Sequence, residues 1–139
     1  ADVQESRDSA NHAAIVLSAT DPANAFGAAL PWPAQPQETA SGHRPGRKAG
    51  AIVITVGGEL ALYVERGGKT LLSFTADATR LASATGALAH AVRQSQGRLL
   101  LERADGDQVL NTAARGGSPL MYALETAGFI TTPRGLLLR

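Results

Sequence analysis

Apolar and polar positions are most sharply patterned between Lys48 and Phe74, in the stretch KAGAIVITVGGELALYVERGGKTLLSF. Ile52, Ile54 and Val56 alternate with Ala51, Val53 and Thr55, a period of two that marks a strand. Gly57-Gly58 interrupts the run, after which Leu60, Leu62 and Val64 alternate with Ala61, Tyr63 and Glu65. Arg66-Gly67-Gly68-Lys69 interrupts it again before Thr70 to Phe74. Paired glycines between alternating runs favour a tight hairpin, because primed turns need positive φ, which glycine adopts without a steric penalty. The pattern predicts a three-stranded antiparallel meander.

Residues 1–11 are polar and aperiodic and read as a disordered lead-in, leaving 12–139 as one folded domain. Ala13 to Ala19 is continuously apolar and predicts a buried strand. Thr20 to Gly27 predicts a short helical turn, with Asp21 as cap, Pro22 at its first position and Gly27 at its end. Residues 33–48 are a long segment rich in proline, glycine and polar side chains, which predicts a functional or disordered loop. Beyond the meander, Asp77 or Thr79 can cap a helix running to about Gln96, with Leu81, Ala84, Leu88, Ala91 and Val92 on one face and Gly97 as its stop. Arg98 to Arg103 reads as a strand paired with Asp107 to Leu110 through an Asp105-Gly106 turn. Asn111 to Gly117 reads as a flexible connection. Ser118-Pro119 opens a second helix that Gly128 closes, with Phe129 making the apolar contact beyond the cap. Two short strands around Pro133-Arg134-Gly135 end the chain. About seven short strands and two helices in mixed order predict an α+β fold. The sheet is expected to be strongly bent and antiparallel, or a small β-barrel, with both helices packed on it.

The 139 residues suffice for one core, and no apolar run approaches the length of a membrane span. The first residue is not methionine, which reads as a fragment or a processed form. The absence of cysteine excludes disulfides and thiolate metal sites and fits the cytoplasm. The net charge of +1 conceals an asymmetry. Residues 1–40 carry one basic and five acidic side chains, whereas residues 41–139 carry twelve and seven. A surplus of cations on the folded part suits a polyanion, although an ordinary solvated surface explains it equally well.

Candidate chemistry is sparse. Gly67-Gly68-Lys69-Thr70 has the glycines and lysine of a phosphate loop, but Tyr63 stands where that loop needs glycine, and a strand follows instead of a helix. His12, His43 and His90 have no second ligand at metal spacing. Asp105 and Asp107 flank a turn glycine, which accounts for them, and no nucleophile elbow is present. The basic residues are the stronger lead. Arg44, Arg47 and Lys48 enter the first meander strand, and Arg66 and Lys69 sit in its second turn, at the same end of the sheet. The five cations would form a rim that grips phosphates, while Trp32 or Tyr63 stacks a base. For both aromatics, packing into the core is the weightier reading.

VLSATDPANAFGAALPWP, HRPGRKAGAIVITVGGELALYVERGGKTLLSF and LETAGFITTPRGLLLR together resemble the C-terminal end of the bacterial large helicase-related (Lhr-type) proteins, over about Ile15 to Arg139. The resemblance implies a parent that is a long ATP-dependent DNA helicase and translocase linked to DNA repair. In it, motor domains holding ATP and magnesium precede winged-helix modules and a terminal barrel-like module. The fragment would be that module, cytoplasmic and nucleoid-associated, without cofactor, metal or catalytic residues of its own. Its expected partners are DNA, single-stranded or tailed, and the neighbouring winged-helix modules. A homo-oligomerisation role built on the surface around Trp32 is an alternative. So is membership of a glycosylase-like unit, since the family's C-terminal region is similar in fold to winged-helix and barrel DNA glycosylases. After Glu125 the tail GFITTPRGLLLR carries no carboxylate to assist glycosidic cleavage.

Overall fold

The computed structural model describes residues 14–28, 30–33, 46, 49–65, 69–95, 97–105 and 107–138. The lead-in 1–11 and most of the loop 33–48 lie outside them. Among the described residues nine strands and three helices form: β1 (Ala14–Ser18), β2 (Ile52–Val56), β3 (Glu59–Val64), β4 (Thr70–Ser73), α1 (Ala78–Gln94), β5 (Leu99–Leu101), β6 (Arg103–Ala104), β7 (Asp107–Gln108), α2 (Val109–Ala114), α3 (Pro119–Ala127), β8 (Ile130–Thr132) and β9 (Gly135–Leu138). A six-stranded sheet runs in the order β1-β2-β3-β4-β6-β7, and a three-stranded sheet in the order β5-β9-β8. The fold is α+β, as expected. Among the described residues the larger sheet keeps β1 and β7 as open edges, so the barrel alternative gives way to two unclosed sheets.

The meander forms where the alternation places it. Gly57 and Gly58 take φ of 62° and 83°, the left-handed pair that a type I′ hairpin requires. One detail departs from strict alternation. The register of β2 against β3 passes from Ile54↔Leu62 to Thr55↔Leu60, leaving Ala61 as an extra residue. At such a bulge two consecutive side chains share a face. Ala61 and Leu62 accordingly join one apolar cluster, while Leu60 joins Tyr63 in the other.

Both faces of the meander are buried. On one, Ile54, Leu62, Val64 and Leu71 pack against Leu81, Ala84 and Leu88 of α1 and Leu124 of α3. On the other, Val53, Leu60, Tyr63 and Leu72 are covered by Ala19, Phe26 and Trp32. Asp77 caps α1, its carboxylate accepting the Arg80 N–H at 3.0 Å. Ser118 caps α3, Pro119 occupies its first turn, and Gly128 ends it at φ 117° with Phe129 buried beyond. These are the capping devices the sequence advertised, each contributing about 1 kcal/mol. The buried hydroxyl of Thr85 ties the two helices, lying 2.7 Å from the Leu81 carbonyl and 3.2 Å from that of Ala123.

Four expectations are corrected. The strand expected to be buried is a half-exposed edge strand over Ala14–Ser18, with Ile15 52% exposed. Thr20 to Gly27 is not helical. Asp21 Oδ1 instead accepts the Ala23 N–H at 2.8 Å. The buried Asn24 amide donates to Ala19 O and accepts from the Phe26 N–H, holding a series of turns. Arg98 to Arg103 is not one strand. It splits at Glu102 between the two sheets, and β6 meets β4 in a short parallel pairing, Thr70↔Arg103 and Leu71↔Ala104. The connection from Asn111 is partly helical, because Val109 is buried and anchors a turn and a half of α2 that VLNTAA alone would not hold.

The chain crosses between sheets where Gly135 lies closest. A Cβ on Gly135 would stand 2.2 Å from the Leu101 carbonyl oxygen, and its φ is 150°. Gly135→Ala must therefore push β9 away from β5. We expect a loss of about 2 to 4 kcal/mol in urea-induced unfolding, larger than ordinary glycine-to-alanine costs. A loss below about 0.5 kcal/mol would show that the crossover relaxes freely.

Candidate nucleic-acid interface

The two candidate stacking aromatics meet each other inside the second core. Trp32 stacks on Phe26 with ring centroids 6.2 Å apart and meets Tyr63 edge-on at 5.7 Å. Its indole also lies against Gly27, where a Cβ would come within 2.7 Å of Nε1. Only a glycine at φ 78° admits that approach. Tyr63 is fully buried, so neither ring face is open to a base, and its stacking role gives way to packing. Trp32 is half-buried and held on three sides by its own chain.

Tyr63 has a different positional role. Its hydroxyl donates to the Gly46 carbonyl at 3.1 Å. Gly46 stands between Arg44 and Arg47-Lys48 in the sequence. Arg44, Arg47, Lys48 and Arg66 themselves lie outside the described residues. Lys69 is exposed immediately before β4. Its carbonyl accepts the N–H groups of Glu102 and Arg103 at 2.9 and 3.0 Å, which places the exposed Arg103 next to Lys69. Sequence reasoning missed Arg103. The parallel β4–β6 pairing that recruits it spans two residue pairs and leaves no periodic signal.

The remaining polar groups serve the fold. Asp105, at φ 53°, is more than a turn residue. Its carboxylate accepts the Ser73 N–H at 2.6 Å and the Ser73 hydroxyl at 2.5 Å, fastening the β6–β7 hairpin to the end of β4. Arg80 and Glu59 pair at the surface beside the Gly57-Gly58 hairpin. Lys69-Thr70 runs into β4 and not into a helix. Among the described residues no cluster of histidine, aspartate or glutamate is arranged to hold a metal, and no helix is long and apolar enough to cross a membrane.

Comparison with known proteins gives two relatives. The chain is 50% identical over 130 residues to "Lhr helicase/ probable uracil glycosylase" of Mycolicibacterium smegmatis, an alignment covering 91% of this chain and 8% of that protein. It is 38% identical over 124 residues to "Lhr helicase/uracil glycosylase" of Escherichia coli K12, covering 88% of this chain and 7% of that protein. The chain thus spans less than a tenth of the length of either. No family model matches it.

Burial raises the Tyr63 phenol above its ordinary value of 10.0, and the neighbouring Glu65 carboxylate adds to the rise. The folded chain therefore keeps this proton where the unfolded chain releases it. The resulting stability is complete below pH 10.0 and drains away as pH climbs through the folded value. Tyr63→Phe removes this alkaline component and leaves the Gly46 carbonyl without its donor, at a cost of about 1 kcal/mol at neutral pH. Urea titrations at neutral and alkaline pH check both effects. An alkaline decline identical in the two proteins would assign it to other groups.

Proposed function

Because the chain is homologous over about nine-tenths of its length to a short segment of the Lhr helicases, we propose that it is a C-terminal accessory module of an Lhr-type helicase, without chemistry of its own, that contacts DNA phosphates through the rim at the Lys69 end of its larger sheet. ATP hydrolysis and magnesium belong to the motor of the parent in this reading. The module holds DNA, single-stranded or tailed, while those domains act, and its remaining surface docks winged-helix neighbours in a parent working in DNA repair. The observation that carries the proposal is the Tyr63–Gly46 hydrogen bond. It holds Gly46, which stands between Arg44 and Arg47-Lys48 in the sequence, at Tyr63, a short way before Arg66 and Lys69. Cations anchored at one end of a rigid sheet meet a phosphate backbone without first losing the freedom of a loose tail.

A second reading is favoured by the words "uracil glycosylase" in both relatives' names. The module would then complete a base-excision unit whose catalytic groups lie elsewhere in the parent. Uracil release by the parent's C-terminal region, lost when this segment is deleted, would support it. Homo-oligomerisation through Trp32 has less in its favour, since that ring packs on Phe26 and Tyr63 of its own chain.

Charge reversal of Arg44, Arg47, Lys48, Arg66 and Lys69 to glutamate tests the rim. In fluorescence anisotropy with labelled single-stranded DNA, wild-type affinity should fall with salt, by about 0.7 in log–log slope per phosphate contact. The reversed protein should bind at least about tenfold more weakly with a flatter slope. Equal affinity and slope would remove the rim from the interface.

A further inference from the structure

A second cationic feature lies next to the rim. The β6–β7 hairpin and the β8–β9 turn enclose a cleft of about 340 Å³ lined by Glu102, Arg103, Gln108, Leu110, Pro133 and Arg134. Arg103 and Gln108 are cross-strand partners in the hairpin, so their side chains share one face of the ribbon. Arg134 reaches the cleft from the other sheet. Its turn is braced by Thr132, whose hydroxyl accepts the Arg134 N–H at 3.2 Å and donates to the Gly135 carbonyl at 2.9 Å. The bare Cα of Gly135 lets this turn settle against Leu101 and Glu102. Two guanidinium-bearing side chains from distant parts of the sequence are thereby held across one concavity by defined backbone.

Among the described residues neither Arg103 nor Arg134 forms an ion pair, although Glu102 lines the same cleft. Two guanidinium groups against one carboxylate leave a single positive charge in a concave surface, where field lines concentrate. The guanidinium fork matches the oxygens of a phosphate, and Gln108 adds amide donors. Pro133 and Leu110 supply apolar wall for a sugar or base edge. We infer that this cleft binds the phosphodiester of a nucleic-acid strand between Arg103 and Arg134, extending the path that begins at Lys69. The inference rests on the nucleic-acid reading above and adds the site at which the strand leaves the rim.

The test uses the 139-residue chain and a labelled single-stranded oligonucleotide over a salt series, with three proteins. Both arginines are exposed, so Arg103→Gln/Arg134→Gln should leave the thermal midpoint unchanged. It should weaken binding roughly tenfold at low salt and reduce the log–log salt slope by about 1.4, the loss of two contacts. Glu102→Gln should do the opposite and tighten binding, which a merely structural role for the cleft does not explain. Wild-type binding that the double variant leaves unchanged in affinity and slope overturns the cleft while the rim reading stands. Absence of any wild-type binding at low salt overturns both. In a parallel arm, the arginine Nε–H resonances are followed by NMR with orthophosphate alone and with the oligonucleotide. Shifts at Arg103 and Arg134 with the oligonucleotide support the inference. Shifts with orthophosphate only make this a small-anion site and overturn the strand assignment.

Discussion

A sheet that is apolar on both faces cannot leave either face in water, and the rest of the molecule answers to that constraint. Val53, Ile54, Leu62, Tyr63, Leu71 and Leu72 all lie in the meander and all are buried. Each large apolar side chain among them gains about 1.5 to 3 kcal/mol from leaving water, so two covers are needed and two are present. Helices α1 and α3 form one, joined through Thr85. The turns from Ala19 to Trp32 form the other, although they have little regular structure. An irregular segment can serve as a cover because its polar groups are satisfied locally. Asn24 is the clearest instance, bonding the backbone of residues on both sides of it.

What could be read from the sequence was whatever depends on near neighbours. The Gly57-Gly58 hairpin, the Asp77 and Ser118 caps, the Gly128 stop and the final hairpin are each specified within a few residues, and each occurs. What escaped depends on distant contacts. Nothing in RLLLER marks Glu102 as the residue where the chain leaves one sheet for the other. The bulge at Ala61 is equally hidden, since Leu60 and Leu62 suit either face. Helix α2 exists because Val109 found a place in the core.

The candidate interface divides along the same line. The cations proposed for the rim stand out by their density in the sequence, but of the five only Lys69 falls among the described residues. The aromatics stand out too, but an aromatic in a sequence carries no sign of whether it faces solvent or its own chain. Tyr63 turned inward, Trp32 packs half-buried against it, and the Tyr63 hydroxyl bonds the Gly46 carbonyl. Arg103 and Arg134, thirty-one positions apart in the numbering, became neighbours of one cleft only through the crossover at Leu101 and the turn at Gly135.

In the smaller sheet, the strand synthesised last lies in the middle, with β9 between β5 and β8. A ribosome delivers β5 and β8 first, and neither has a partner in that sheet until residues 135–138 emerge. The meander and α1 can assemble while translation continues, but the smaller sheet must wait for the final strand to be threaded between two others. Its closure is therefore a late and non-local event, of the kind that slows folding. The wall that carries Arg134 is completed in the same step.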